Sequence, residues 1–234
     1  MRAKLLVLVS AAVITACGPN IYQKADPGEF SGRIFLMWID DGGALGSGTF
    51  VFVPVPGQEL TFTRKNPAAT VRSIRPEMMY TDGGSIPRIA QAFKGFSPWG
   101  YAPAYMVHDW LFIARNCNKD GTPTDRERDI AGMKFAESAD VMAEAIKALV
   151  AQNMVRKNDV SEAIIPSVVA GPITRALWEK DGACAGRRVS EADRLAVEAG
   201  LPGRRVSLRG ATRTLPDGRI VPVKPARLIE TIGF

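Results

Sequence analysis

The apolar pattern of this chain changes period near Tyr80, and that change limits the fold more than any other feature. Before it, residues 33–39 (Arg-Ile-Phe-Leu-Met-Trp-Ile) and 48–55 (Gly-Thr-Phe-Val-Phe-Val-Pro-Val) are β-branched and aromatic runs. The Asp40-Asp41-Gly42-Gly43 cluster between them is a strong turn signal. Residues 60–64 and 70–74 alternate more weakly on either side of Asn66-Pro67. Four antiparallel strands in a meander account for this part of the chain. After Tyr80 the spacing is helical. Residues 103–115 carry proline in the first turn of a predicted helix. A longer helical tract opens at Thr124, with Asp125, Glu127 and Asp129 near the end of the helix dipole that favours acidic groups. It passes through Phe135, Met142, Ile146 and Leu149 and reaches about Arg156. Residues 161–165 and 173–178 read as further helices, interrupted at Gly171-Pro172. Strands first and helices second place the chain in the α+β class, an N-terminal antiparallel β meander packed on a helical region.

The two ends of the chain read differently. Arg2 and Lys4 precede an apolar run, residues 5–13, that is too short to span a bilayer, and Ile14-Thr15-Ala16-Cys17 fits the lipobox of a bacterial lipoprotein signal. Residues 1–16 are therefore expected to be a cleaved signal peptide. Cys17 is then a lipidation site whose several acyl chains give stable anchoring. Gly18 in place of Asp after that cysteine resembles the outer-membrane sorting pattern, so the expected location is the periplasmic face of the outer membrane of a Gram-negative bacterium. Residues 17–31, polar and rich in Pro, Gly, Asp and Lys, read as a lipidated tether. Residues 32–182 form the main domain. Residues 183–234 read as an irregular C-terminal extension with a short helix opened by Ser190-Glu191-Ala192-Asp193 and a hairpin turn at Leu215-Pro216-Asp217-Gly218-Arg219.

Charge and cysteine usage narrow the partners. The full chain carries a net charge of +6, about +4 once Arg2 and Lys4 are removed with the signal. Much of the excess lies late, at Arg187, Arg188, Arg204, Arg205, Arg209, Arg213 and Arg219, without regular aromatic spacing. In an exported chain such mild basicity suits anionic lipid, an envelope polymer or plain solvation, not nucleic acid. With Cys17 assigned to lipid, Cys117 and Cys184 remain as an even pair, expected as a disulfide in an oxidising compartment. Two cysteines and one histidine without a C-x-x-C spacing do not make a standard zinc site.

The chemistry-bearing residues surround the one histidine of the chain. Thr81-Asp82-Gly83-Gly84-Ser85-Ile86-Pro87 precedes a Pro/Gly/aromatic connector, and His108-Asp109-Trp110-Leu111-Phe112 follows it. Together these segments resemble the bacterial and phage proteins of the domain-of-unknown-function family 1353, whose pattern runs T-D-x-x-S-I-P, then H-D-[YW]-L-[YF], then a helix with an A-D pair followed by E-A. Ala139-Asp140 with Glu144-Ala145 matches that last part best in local sequence, while Asp129 stands at the more usual distance from the histidine. The likeness covers roughly residues 30–149 and implies a site of Asp82, Ser85, His108, Asp109 and Asp140, with Asp129 as the alternate. It carries position rather than mechanism.

Two kinds of function remain open. His108 is the natural general base near neutral pH. Adjacent helical residues do not share a face, so an orienting carboxylate is expected from Asp82, Asp129 or Asp140 and not from Asp109. The arrangement is similar to secreted phospholipases, which would make Asp109 a calcium ligand beside carbonyls of Gly83 and Gly84, with Asp140 holding the imidazole. Alternatively Ser85 is a nucleophile activated by His108. No G-x-S-x-G elbow is present, and the simpler account, in which Ser85 and Asp82 cap the turn that Pro87 helps fix, is preferred. His108 also lies on a face with Tyr105, Leu111 and Phe112, as a core histidine bonded to Asp82 would. The chain thus reads as a lipid-anchored cell-envelope protein, phage-related, whose Asp82, Ser85, His108, Asp109 and second-helix aspartate form a site with its molecular role left open. One account makes it a non-catalytic accessory protein whose motif holds the β region to the helices. The alternative is a periplasmic hydrolase of phospholipid or peptidoglycan using His108 as base, with calcium as its candidate cofactor.

Overall fold

The computed structural model describes residues 18–40, 48–82, 99, 101–157, 159–215 and 217–234. Its strands are β1 (Glu29–Ser31), β2 (Arg33–Asp40), β3 (Gly48–Pro54), β4 (Thr61–Thr63), β5 (Ser73–Ile74), β6 (Met79–Thr81), β7 (Thr212–Thr214), β8 (Ile220–Pro222) and β9 (Arg227–Gly233). Among the described residues they form three antiparallel sheets, ordered β1-β4-β5, β6-β3-β2-β9 and β7-β8. The helices are α1 (Gly18–Lys24), α2 (Ala102–Lys119), α3 (Asp125–Arg128), α4 (Phe135–Ala151), α5 (Asp159–Val169), α6 (Pro172–Glu179), α7 (Cys184–Arg187) and α8 (Glu191–Gly200). The class is α+β, as the change of period requires.

The central strands β2 and β3 of the four-stranded sheet meet a core on each face, which explains why their runs are apolar almost without a break, while the edge strand β9 is mostly exposed. Ile34 and Leu36 of β2 and Phe52 of β3 face the larger core, built on α2 and α4. The alternate residues Phe35, Met37 and Ile39 of β2, with Val51 and Val53 of β3, face a second core. That second core is supplied by the C-terminal residues: Ala196 and Val197 of α8, with Leu201, Val223 and Ala226. Gly200 lets α8 approach the last strand closely, since a Cβ there would lie 2.1 Å from the Ala226 carbonyl oxygen. β9 then pairs with β2 and forms the edge of the same sheet. The C-terminal region therefore covers a face of the sheet and extends it.

α2 sits in the centre of the larger core. Ala104, Met106, Val107, Leu111 and Ala114 are fully buried, a helix apolar nearly all round. α3 opens on the reciprocal cap of Thr124 and Glu127: the Glu127 N–H donates to Thr124 Oγ1 at 3.2 Å, and the Thr124 N–H to Glu127 Oε2 at 2.7 Å. The tract expected to run unbroken from Thr124 to about Arg156 is interrupted. α3 ends at Arg128, a turn containing Gly132 follows, and α4 begins at Phe135 with Glu137 accepting the Lys134 N–H at 3.3 Å.

The expected tether over 17–31 is also corrected. From Gly18 the chain forms α1, which packs against α5 and α4, and then β1. Lys147 Nζ on α4 donates to the Gln23 and Ala25 carbonyls at 3.1 and 2.6 Å and lies 5.1 Å from the Tyr22 ring centre. Phe30 is buried, its ring tilted against Phe62 and stacked on Phe234. These apolar anchors are diluted among polar residues and lost in an average over composition. Among the described residues no helix is long and apolar enough to cross a membrane.

Candidate functional site

His108 lies in the first half of α2, where the apolar character of the helix draws it inward: it is 4 % exposed. Its ring packs on Phe112 one turn later, centroid to centroid 4.9 Å. Phe112 in turn meets Trp178 of α6 edge-on at 5.1 Å. The Nδ1 of His108 is 3.4 Å from Asp109 Oδ1, at the long end for a hydrogen bond. The neighbour ruled out by helical geometry is thus the carboxylate in contact. Two side chains about 100° apart around the axis are separated by only ~1.5 Å of rise, so an aspartate turned along the helix reaches the adjacent ring. Asp109 itself is 41 % exposed in its side chain.

The opposite nitrogen, Nε2, is buried and has no hydrogen-bond partner among the described residues. Tyr105, three residues earlier on the same face, repeats this: its hydroxyl is buried without a partner there. Burial holds that phenol far above its ordinary range, with the charges of Tyr101 and Asp109 adding to the effect. Sequence reading placed Tyr105 beside His108 but gave it no part in the site. The i, i+3 spacing of two polar groups within an apolar helix is the signal that would have found it.

The remaining sequence-derived candidates are dispersed. Asp82, at the end of β6, is exposed and makes no hydrogen bond to His108 among the described residues. Gly83, Gly84 and Ser85 lie outside the described residues, as does Cys17. Asp129 is on the turn after α3, in an exposed ion pair with Arg75 at 2.6 Å. Asp140 is on α4, half-buried, and burial pushes its carboxyl up. The nearby Glu137 charge pushes the same way and Arg64 opposes it. Neither Asp129 nor Asp140 bonds the imidazole in the described part of the chain.

The carboxylates of α4 serve a different group, one that sequence reading missed. Arg64, just past β4 and 2 % exposed, donates through Nε and Nη2 to the two oxygens of Glu144 at 2.7 and 2.9 Å. Its Nη1 donates to Glu137 at 3.0 Å. Glu137, Asp140 and Glu144 follow a helical i, i+3, i+7 spacing, which puts all three toward this one guanidinium. Glu144 of the E-A pair, together with Glu137, therefore ties α4 to Arg64 beside β4. A separate buried link ties the C-terminal part to the helices: Arg188 reaches Glu127, and Cys117 is joined to Cys184 with Cα atoms 4.6 Å apart.

Among the described residues no three His, Cys, Asp or Glu side chains converge as metal ligands. What the geometry offers chemically is a histidine with a carboxylate beside one nitrogen and, among the described residues, no hydrogen-bond partner on the other, packed against Phe112. The chain matches no family model, no curated protein and no solved structure.

Proposed function

We propose that this protein is a lipid-anchored protein of the bacterial cell envelope in which the His108-Asp109 segment is a structural joint between the helices and the sheet. The disulfide between Cys117 and Cys184 carries the reading. With Cys17 in a lipobox, these are the two other cysteines of the chain, and their pairing suits an oxidising compartment outside the cytoplasm. The burial of His108 against Phe112 and the engagement of Glu144 by Arg64 support a packing role for the motif. Its likeness to the domain-of-unknown-function family 1353 belongs to the same proposal, as does placement on the outer membrane's periplasmic face with contact to anionic lipid or envelope polymer. Mass spectrometry of the protein recovered from membranes tests the anchor. The expected product begins at Cys17 with acyl mass added, and Cys17→Ser is unlipidated. An unmodified Cys17 in the exported protein would sink this reading.

A second reading is favoured by one observation, the buried Nε2, without a hydrogen-bond partner among the described residues, of a histidine whose Nδ1 faces Asp109. A general base needs that nitrogen within hydrogen-bond reach of a substrate proton. In this reading the protein is a periplasmic hydrolase acting on phospholipid or peptidoglycan, with calcium as a further candidate component at Asp109. Ester or muropeptide turnover by the purified protein that disappears in His108→Gln would establish it.

A further inference from the structure

We propose that the apolar stripe on α5 and α6 is a membrane-contact face that lies on the lipid leaflet holding the acyl chains of Cys17. This rests on the anchoring reading above and adds an orientation to it. Ile164 and Val168 of α5 are one helical turn apart and exposed. Ile173 and Leu177 of α6 repeat that spacing, with Ile173 80 % exposed. The turn between the helices is tight, since the Gly171 N–H and the Thr174 hydroxyl both donate to the Val168 carbonyl. The inward side of the same helices is already occupied, by Ile165, Val169 and Trp178 in the larger core. The stripe is thus an additional apolar surface, left over after the core is made.

Its occupant follows from where the chain enters the fold. Gly18, the first residue of α1, is covalently next to Cys17, so the anchored residue's Cα lies about 4 Å from the start of that helix. α1 packs directly on α5, the helix that carries half of the stripe, and Lys147 fixes its C-terminal end to α4. Acyl chains held this close give the domain little freedom to stand off the bilayer or turn its α5 side away. Exposed charged groups accompany the stripe. Arg175, over the Phe135 ring at 4.9 Å and in an exposed ion pair with Glu179 at 3.7 Å, and Lys180 can turn to anionic headgroups, while aliphatic side chains enter the boundary beneath. A lipid surface fits both features; a second copy of the chain would account for the apolar side chains but not for their position beside the anchor.

The test uses the lipidated full chain in vesicles of phosphatidylethanolamine and phosphatidylglycerol containing nitroxide-labelled lipid. An environment-sensitive fluorophore is attached to Ile173→Cys, and in a parallel sample to Ile220→Cys on the β7–β8 hairpin, where Ile220 is 69 % exposed. The label at 173 is expected to shift to the blue and to be quenched several-fold more than the label at 220. Acylated protein whose label at 173 stays as aqueous as that at 220 overturns this orientation and leaves the anchor standing. Protein whose Cys17 carries no acyl mass overturns both. A blue shift already present without vesicles, with doubled mass in sedimentation, assigns the stripe to a second copy and overturns the proposal.

Discussion

His108 and Asp109, neighbours on α2, meet at 3.4 Å through Nδ1 and Oδ1, while the imidazole Nε2 on the far side is buried without a partner among the described residues. A buried polar atom left unpaired costs about 1–3 kcal/mol. A histidine retained there for packing alone is therefore replaceable by an apolar side chain of similar size. His108→Leu is expected to unfold in urea within ~1 kcal/mol of wild type, because removing the orphan nitrogen offsets imperfect shape. His108→Ala should lose ~2–4 kcal/mol, since Phe112 then borders a cavity. A His108→Leu protein that is fully stable yet has lost a measurable hydrolytic activity would transfer the histidine from packing to catalysis.

Arg64 and Glu144 give the largest expected single-site effect. Removing one member of a buried pair strands the other, at ~3–5 kcal/mol. Arg64→Met is expected to lose stability in that range, and Arg64→Met with Glu144→Leu to recover most of it, because the fully buried charge of Glu144 is then removed too, while Glu137 keeps its bonds from the Thr70 and Lys134 N–H groups. Denaturant titration of the two single variants and the double variant measures the coupling. A double variant as unstable as Arg64→Met alone would mean that Glu137 and the Val71 carbonyl, which Arg64 also meets, dominate the site.

The bond between Cys117 and Cys184, 67 residues apart in sequence, joins α2 to α7. In the chain-entropy model a loop of that length contributes ~4 kcal/mol by restricting the unfolded chain. Cys117→Ser with Cys184→Ser should lower the unfolding free energy by ~2–4 kcal/mol. Protein exported to an oxidising compartment should show no free thiol from this pair without reduction. Stoichiometric alkylation of both cysteines in unreduced exported protein contradicts the pairing.

Features carried by neighbouring residues were legible in the sequence. Ser190 opens α8 by accepting the Asp193 N–H at 3.2 Å, β7 and β8 flank the turn read at Leu215 to Arg219, and the run 33–39 is a strand. What escaped depends on residues far apart or on apolar groups too few to register. Arg64 and Glu144 are 80 positions apart, and nothing local in either marks the other. The second face of the sheet is covered largely by Ala196, Val197, Val223 and Ala226, side chains too small to stand out from the charged, glycine-rich stretch that contains them. α1 was hidden because Ile21 and Tyr22 sit among polar neighbours, so composition read as a tether what packing makes a helix. At the site, the histidine and its helix were legible, but its carboxylate contact was sought on other elements.

The carboxylates around Arg64 respond to pH in opposite senses, which separates packing from catalysis at Asp140. Burial raises the Glu137 carboxyl, but hydrogen bonds from Thr70, Arg64 and the Lys134 backbone outweigh it and hold the group below its usual range. Its stabilisation is therefore complete above the ordinary glutamate value and is lost as pH falls through the lowered one. Asp140 is raised, by burial first and by the Glu137 charge, with Arg64 opposing. The fold holds its proton more tightly than the unfolded chain does, so Asp140 disfavours folding once ionised and favours it as pH falls through the raised value. Glu137→Gln is expected to lose ~1–3 kcal/mol at pH 7, by weakening hydrogen bonds to a charged acceptor, and to flatten the acid limb of the melting curve. Asp140→Asn is expected to melt at or above the wild-type temperature at pH 7 and to lose stability more steeply on acidification. Melting temperatures from pH 3 to 8 for the three proteins decide it. An Asp140→Asn protein clearly less stable than wild type at pH 7 would show that the ionised carboxylate makes a bond the fold needs, as an aspartate orienting His108 would.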